Sequence, residues 1–143
     1  MIRDFFSQHR QNGLTILELL VVLTILSAVA LITAPRVIQY VAKSKSQSAA
    51  IQLENVVGAV ELFFLENGVY PTQQQGLDAL VSKPIGVGAW DGPYLRDARG
   101  LVDPWGRPYL YRIPGTDGQP FDVYSLGADG VEGGDGENQD LRS

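Results

Sequence analysis

From Leu19 to Ala34 the chain carries no charged residue, and from Ala42 to Phe64 it changes to a one-sided apolar pattern. In the second stretch Ala42, Ala49, Ala50, Leu53, Val56, Val57, Val60, Phe63 and Phe64 recur at three- and four-residue steps, with Lys43, Lys45, Gln47, Gln52, Glu54, Glu61 and Glu66 mostly between them. That period predicts an amphipathic helix, because residues three and four apart share a helical face. Asn67-Gly68 supplies its stop, glycine being the residue that best adopts the left-handed turn after a helix end. Pro35 lies between the two patterns and lacks the N–H owed to the Leu31 carbonyl. The expectation is a kink or local opening within one long helix. Its first half is apolar on all sides, its second half on one.

Twenty-two helical residues, Leu14 to Pro35, reach about 33 Å at ~1.5 Å per residue, enough to cross a hydrocarbon layer of about 30 Å. The simplest alternative is a secretory signal peptide, with Arg3 and Arg10 as its basic start and a cleavage site at Ala28-Val29-Ala30. Two features oppose it. Glu18 stands inside the apolar run, where a carboxylate costs about 2.5–3.5 kcal/mol, and the helical pattern resumes beyond Arg36. A cut between Gly13 and Leu14 would put a new α-amino group, with a pKa of roughly 7.7–8.0, in the same layer as Glu18. A neighbouring copy shifted along the axis offers that amine in better position than the same helix does. Glu18 is therefore expected to pair with the Leu14 amine of an adjacent subunit and to set the stagger between subunits. The competing reading is a snorkelling or protonated Glu18 in a plain membrane anchor.

Composition narrows the rest. The chain has 143 residues, a net charge of −5, no Cys and one His, at position 9. The charge argues against nucleic-acid binding, the missing Cys leaves folding to a core or a metal, and the lone His removes triads and His-rich zinc sites. "RPYLYRIP" (107–114) and "FDVYSLG" (121–127), separated by "GTDGQ", predict antiparallel strands on the Ala49 to Phe64 face, with a short helix over Gln75 to Val81. The fold class is thus α+β, a long N-terminal helix on a small antiparallel sheet with a C-terminal acidic loop. Trp90 and Trp105 are expected in the core or at its edge, and Asp103-Pro104-Trp105-Gly106 as a turn. Asp103 and Asp122 could be drawn as a catalytic carboxylate pair, but surface or turn roles are commoner and nothing fixes their separation. Between Asp129 and Asp140 lie five acids, Asn138 and four Gly, with no basic residue before Arg142. Such a loop repels itself and suits a hard cation such as Ca2+, which takes six to eight oxygens in irregular loops. A solvated acidic tail is the alternative.

The run Gly13-Leu14-Thr15-Ile16-Leu17-Glu18 ahead of an apolar stretch resembles the class III signal of type IV pilins and pseudopilins. "ENGVYPTQQQGLDALV" (66–81), "GPYLR" (92–96), "DPWGRPYLYRIPG" (103–115) and "DVYSLGADG" (122–130) resemble the major pseudopilin, the G subunit, of bacterial type II secretion systems. The resemblance implies a type IV pilin-like fold and a structural, non-catalytic subunit that polymerises into a helical filament promoting export of folded proteins across the outer membrane. It implies a leader over 1–13 cut by a prepilin peptidase between Gly13 and Leu14, N-methylation of Leu14 (Phe in most of the family), and a role in assembly for Glu18. A transmembrane and assembly helix would follow over 14–35, its amphipathic continuation over 36–67, and a periplasmic globular part over 68–143, held by a single pass through the inner membrane. Minor pseudopilins and an inner-membrane assembly platform would be partners. A Ca2+ site would use Asp129, the Leu126 carbonyl, Asp135 and Asp140, with Glu137 and Asn138 as alternatives. The major subunit of a type IV pilus or of a competence pseudopilus remains a second reading, and a membrane-anchored calcium-binding module a third.

Overall fold

The computed structural model describes residues 15–143. Gly13 and Leu14 lie outside the described residues. A single helix, α1, runs Ile16–Asn67, and its helical backbone continues through Pro35. Two compact units share the chain, dividing between Ile38 and Gln39.

Among the described residues the first unit is helix alone. Thr15 caps it: its Oγ1 accepts from the Glu18 N–H at 3.1 Å, and its carbonyl accepts from Leu19 at 3.1 Å. Thr15-x-x-Glu18 is the pattern of a capping box, and a carboxylate in the first turn faces the positive end of the helix dipole. Leu17, Leu20, Leu23, Leu26 and Leu31 are each more than half exposed, so the described residues of this unit form no core of their own. The hydroxyls of Thr24, Ser27 and Thr33 donate to the carbonyls of Leu20, Leu23 and Val29, four residues back, at 2.7, 2.7 and 2.9 Å.

In the second unit one face of α1 is buried: Ala49, Leu53, Val56, Ala59, Val60 and Phe63. The helix ends as expected. Gly68, at φ +72°, donates to the Phe64 carbonyl at 2.8 Å, and the Asn67 amide donates to that of Phe63 at 2.9 Å. The chain then turns through Pro71 into the short helix expected over 75–81, which takes 3-10 form over Gly76–Leu80. Its Leu77, Ala79 and Leu80 join the core.

Three short strands form an antiparallel sheet of order β1-β2-β3: β1 Leu110–Arg112, β2 Asp122–Ser125 and β3 Leu141–Arg142. Tyr111 pairs with Val123, and both point into the core; Leu110 pairs with Tyr124, and Tyr124 with Arg142, on the other side. The strands are shorter than the aromatic and β-branched runs. In the first, Pro108 and Pro114 flank β1 and cannot donate to a ladder. Trp90 is half-buried against this core, its indole N–H donating to the Ala79 carbonyl at 2.8 Å.

Two tyrosines fasten sheet to helix. Tyr109 donates its hydroxyl to the Ala49 carbonyl on α1 at 2.9 Å, and Tyr111 donates to the Pro71 carbonyl just beyond it, also at 2.9 Å. Both rings are buried, which penalises the phenolate and pushes each hydroxyl up to about 12. A folded-state value above the unfolded one means stability held in full below pH ~10 and lost as pH climbs toward the folded value. The melting temperature should therefore fall between about pH 10 and 12, and phenolate absorbance should show two tyrosines titrating only with unfolding; a flat melting curve across that range would contradict their burial.

Candidate functional site

The acidic loop is built on the Asp103 turn. Asp103 is 4% exposed, and its Oδ1 accepts from the N–H groups of Trp105 (3.0 Å) and Arg107 (2.9 Å). Its Oδ2 accepts from the Ser125 hydroxyl at 2.7 Å, and Ser125 Oγ in turn accepts from the Gly127 N–H at 3.2 Å. The expected turn is therefore present, and its carboxylate also ties the end of β2 to the start of the loop. Asp122 is spent elsewhere, its Oδ2 accepting from the Thr116 N–H and hydroxyl, both at 2.9 Å. Each is buried and bonded to its own set of donors, so neither takes the surface position that short acidic residues usually occupy.

Beyond Ser125 the chain folds back on itself. The Leu126 carbonyl accepts from Gly130 at 3.2 Å, and the Glu137 carbonyl accepts from Ala128 at 2.8 Å. This return brings the backbone of residues 137 and 138 so near Gly127 that a Cβ there would stand 2.7 Å from the Glu137 oxygen; its φ is +64°. Arg107 closes the first turn from the side, its Nη1 donating to the carbonyls of Gly127, at 3.0 Å, and Ala128.

The four sequence-assigned metal ligands are disposed unequally. Asp129 is exposed, and its Oδ1 accepts from the Val131 N–H at 3.1 Å. Asp135 is exposed, and its carbonyl accepts from Asn138 at 3.1 Å. Asp140 is half-buried: Oδ2 accepts from the Gly133 N–H at 3.0 Å, while Oδ1 is buried with no hydrogen-bond partner among the described residues. No group of three His, Cys, Asp or Glu side chains suited to a metal converges among the described residues, so the three acids stand apart. What suits a hard cation is the Asp140 Oδ1, an oxygen buried without a donor among the described residues, in a loop whose other ligand candidates are also oxygens. Sequence reading missed Arg107 and Ser125 as parts of this site. Their partners lie some twenty residues away, and no local spacing reports them.

Comparisons with known proteins agree across the chain. The family model described as type II secretion system protein G matches residues 36–143, and that of the prokaryotic N-terminal methylation motif matches residues 8–34. The type II secretion system core protein G of Pseudomonas aeruginosa is 42% identical over 139 residues, covering 94% of this chain and 95% of that one. The Vibrio cholerae core protein G is 39% identical over 93% of this chain and 91% of its own length. Among solved structures, the major pseudopilin of the type 2 secretion system of enterohaemorrhagic Escherichia coli aligns with a TM-score of 0.58 at 33% identity, over 70% of this chain and 82% of that one.

Gly127→Ala should lower stability by more than about 1 kcal/mol, since the Cβ meets both an unfavourable φ and the returning backbone. Thermal melting of the variant checks this, and an unchanged midpoint would mean the loop does not fold back there.

Proposed function

The chain belongs to the type II secretion system protein G family, and from that premise we propose that it is a filament-forming structural subunit of the secretion pseudopilus, without catalytic activity. The observation that carries this reading is a membrane-length helix with every apolar side exposed, behind an N-terminal methylation motif. Such a helix anchors the chain in a membrane before assembly. In the filament, helices of successive copies bury it. The family match over 36–143 favours secretion over the pilus and competence readings.

Maturation begins with a prepilin peptidase cut between Gly13 and Leu14, followed by methylation of Leu14. The globular unit lies on the periplasmic side of the inner membrane, where minor pseudopilins and the assembly platform meet the growing filament. Glu18 then has two roles. Its backbone N–H completes the Thr15 cap, and its exposed carboxylate pairs with the Leu14 amine of the next subunit. Burying that pair among helices leaves no charge unpaired and fixes the axial step.

Calcium is the cation we propose for the C-terminal loop, held by Asp140, Asp129 and the Leu126 carbonyl, with Asp135 as a further ligand. When bound it neutralises carboxylates and cross-links the loop. The support is the buried Asp140 Oδ1 without a donor.

Glu18→Gln keeps size and helix propensity but removes the charge. Filament yield and protein export should drop at least about tenfold while membrane insertion and N-terminal sequencing at Leu14 stay as in the wild type. Intact filaments in the variant would leave Glu18 a capping residue only. For the loop, Asp140→Asn should leave the chelated melting temperature unchanged or raised, since a buried unpaired charge is gone, and should abolish the rise that calcium brings to the wild type. A wild type whose midpoint ignores calcium would sink the metal reading.

A further inference from the structure

The first turn of the acidic loop already contains a cation. Arg107 Nη1 reaches two successive carbonyls, Gly127 and Ala128, and the guanidinium lies over Gly130 so closely that a Cβ there would meet Nε at 2.6 Å. The arm that delivers it is held independently. Its N–H donates to Asp103 Oδ1 at 2.9 Å, and its carbonyl accepts from the Asp103 N–H at 2.7 Å. Asp103 is in turn bonded to Ser125, so the turn bearing Arg107 and the strand leading into the loop form one connected piece.

Arg107 makes no salt bridge among the described residues, where the ion pair found is the exposed Arg99–Asp97 at 2.7 Å. With five carboxyl-bearing residues between Asp129 and Asp140, its guanidinium nevertheless bonds backbone oxygens. A charged donor fixes carbonyls more strongly than a neutral one, and a planar fork fixes their direction as a flexible ammonium does not.

We infer that Arg107 is a positioning residue: an internal cation that holds the loop's first turn in its metal-ready shape when no metal is bound. The inference rests on the calcium reading for what that shape serves. It also separates the loop's oxygens into two sets. The Gly127 and Ala128 carbonyls are held by the arginine, whereas the Leu126 carbonyl, which accepts from Gly130, and the Asp129, Asp135 and Asp140 carboxylates take no bond from it. Two effects of opposite sign meet in this arrangement. A guanidinium beside a divalent ion repels it, whereas a loop already folded binds it without first being ordered. The guanidinium keeps its charge when bonded to neutral carbonyls, so the gain from ordering the loop must exceed that repulsion, a balance that calcium binding by Arg107→Ala reads directly.

The test uses the full-length chain in detergent, with Arg107→Ala, Arg107→Lys and, as a control on the outer sheet face, Arg112→Ala, whose guanidinium lies 5.4 Å from the Tyr124 ring centre. Amide hydrogen exchange in chelator should speed up roughly tenfold or more at Ala128 and Gly130 in Arg107→Ala, and calcium titration calorimetry should show binding weakened by about tenfold. Arg107→Lys should recover part of both, and Arg112→Ala should move neither. Unchanged exchange in chelator, or tighter calcium binding in Arg107→Ala, overturns the inference. Should Arg107→Ala fail to fold, Arg107→Lys decides: faster exchange at those two amides with the remaining globular amides unchanged supports it, and wild-type exchange overturns it. A wild type that takes up no calcium defeats the metal reading alone, since exchange in chelator still reports whether Arg107 holds the loop.

Discussion

A helix that is apolar on every side has no burial partner among the described residues, and much else in this protein follows from that deficit. Lipid can supply the partner, and so can copies of the same helix. Between these two hosts the hydrophobic gain is similar, so packing and polar pairing decide which is preferred. That gives one ionisable side chain in the apolar run unusual leverage. Glu18 is poorly accommodated by lipid, and on the function proposed above an amine on a neighbouring copy would take its charge.

The same covalent helix has a different solution beyond Gln39. There one face is covered by Leu77, Leu80, Tyr109, Tyr111 and Val123, and two tyrosine hydroxyls reach the backbone at and just beyond the helix. The sheet itself is small, three strands of two to four residues, and most of its surroundings are turns. Order in those turns comes from carboxylates that collect backbone and hydroxyl donors, Asp103 for one loop and Asp122 for another. Asp103 matters most for the acidic loop, since through Ser125 and Arg107 it sets where that loop starts.

Periodicity made the long helix legible, and Asn67-Gly68 marked its end to the residue. The sheet was legible in kind but not in length, because prolines trim β1 in a way that β propensity does not register. β3 was not foreseen at all: Leu141-Arg142 is too short to carry a pattern, and it pairs with β2 only through tertiary placement. At the N-terminus the Thr15-x-x-Glu18 spacing is present in the sequence, but a carboxylate inside an apolar run has two uses, a cap and a buried pair, and only the hydrogen bond to Thr15 shows the first. The acidic loop could be read as oxygen-rich from composition. Which oxygens are already taken depended on hydrogen bonds spanning twenty residues, and these no local motif encodes.

The hydroxyls of Thr24, Ser27 and Thr33 carry a consequence for transfer between environments. Each is bonded to a carbonyl of its own helix, so none depends on a lipid headgroup, a water or another subunit for satisfaction. Moving the helix from bilayer to filament therefore breaks no hydrogen bond of these groups and exchanges only van der Waals neighbours. The segment is polar enough to hold close-packing small side chains, yet to either solvent it presents the chemistry of a hydrocarbon rod.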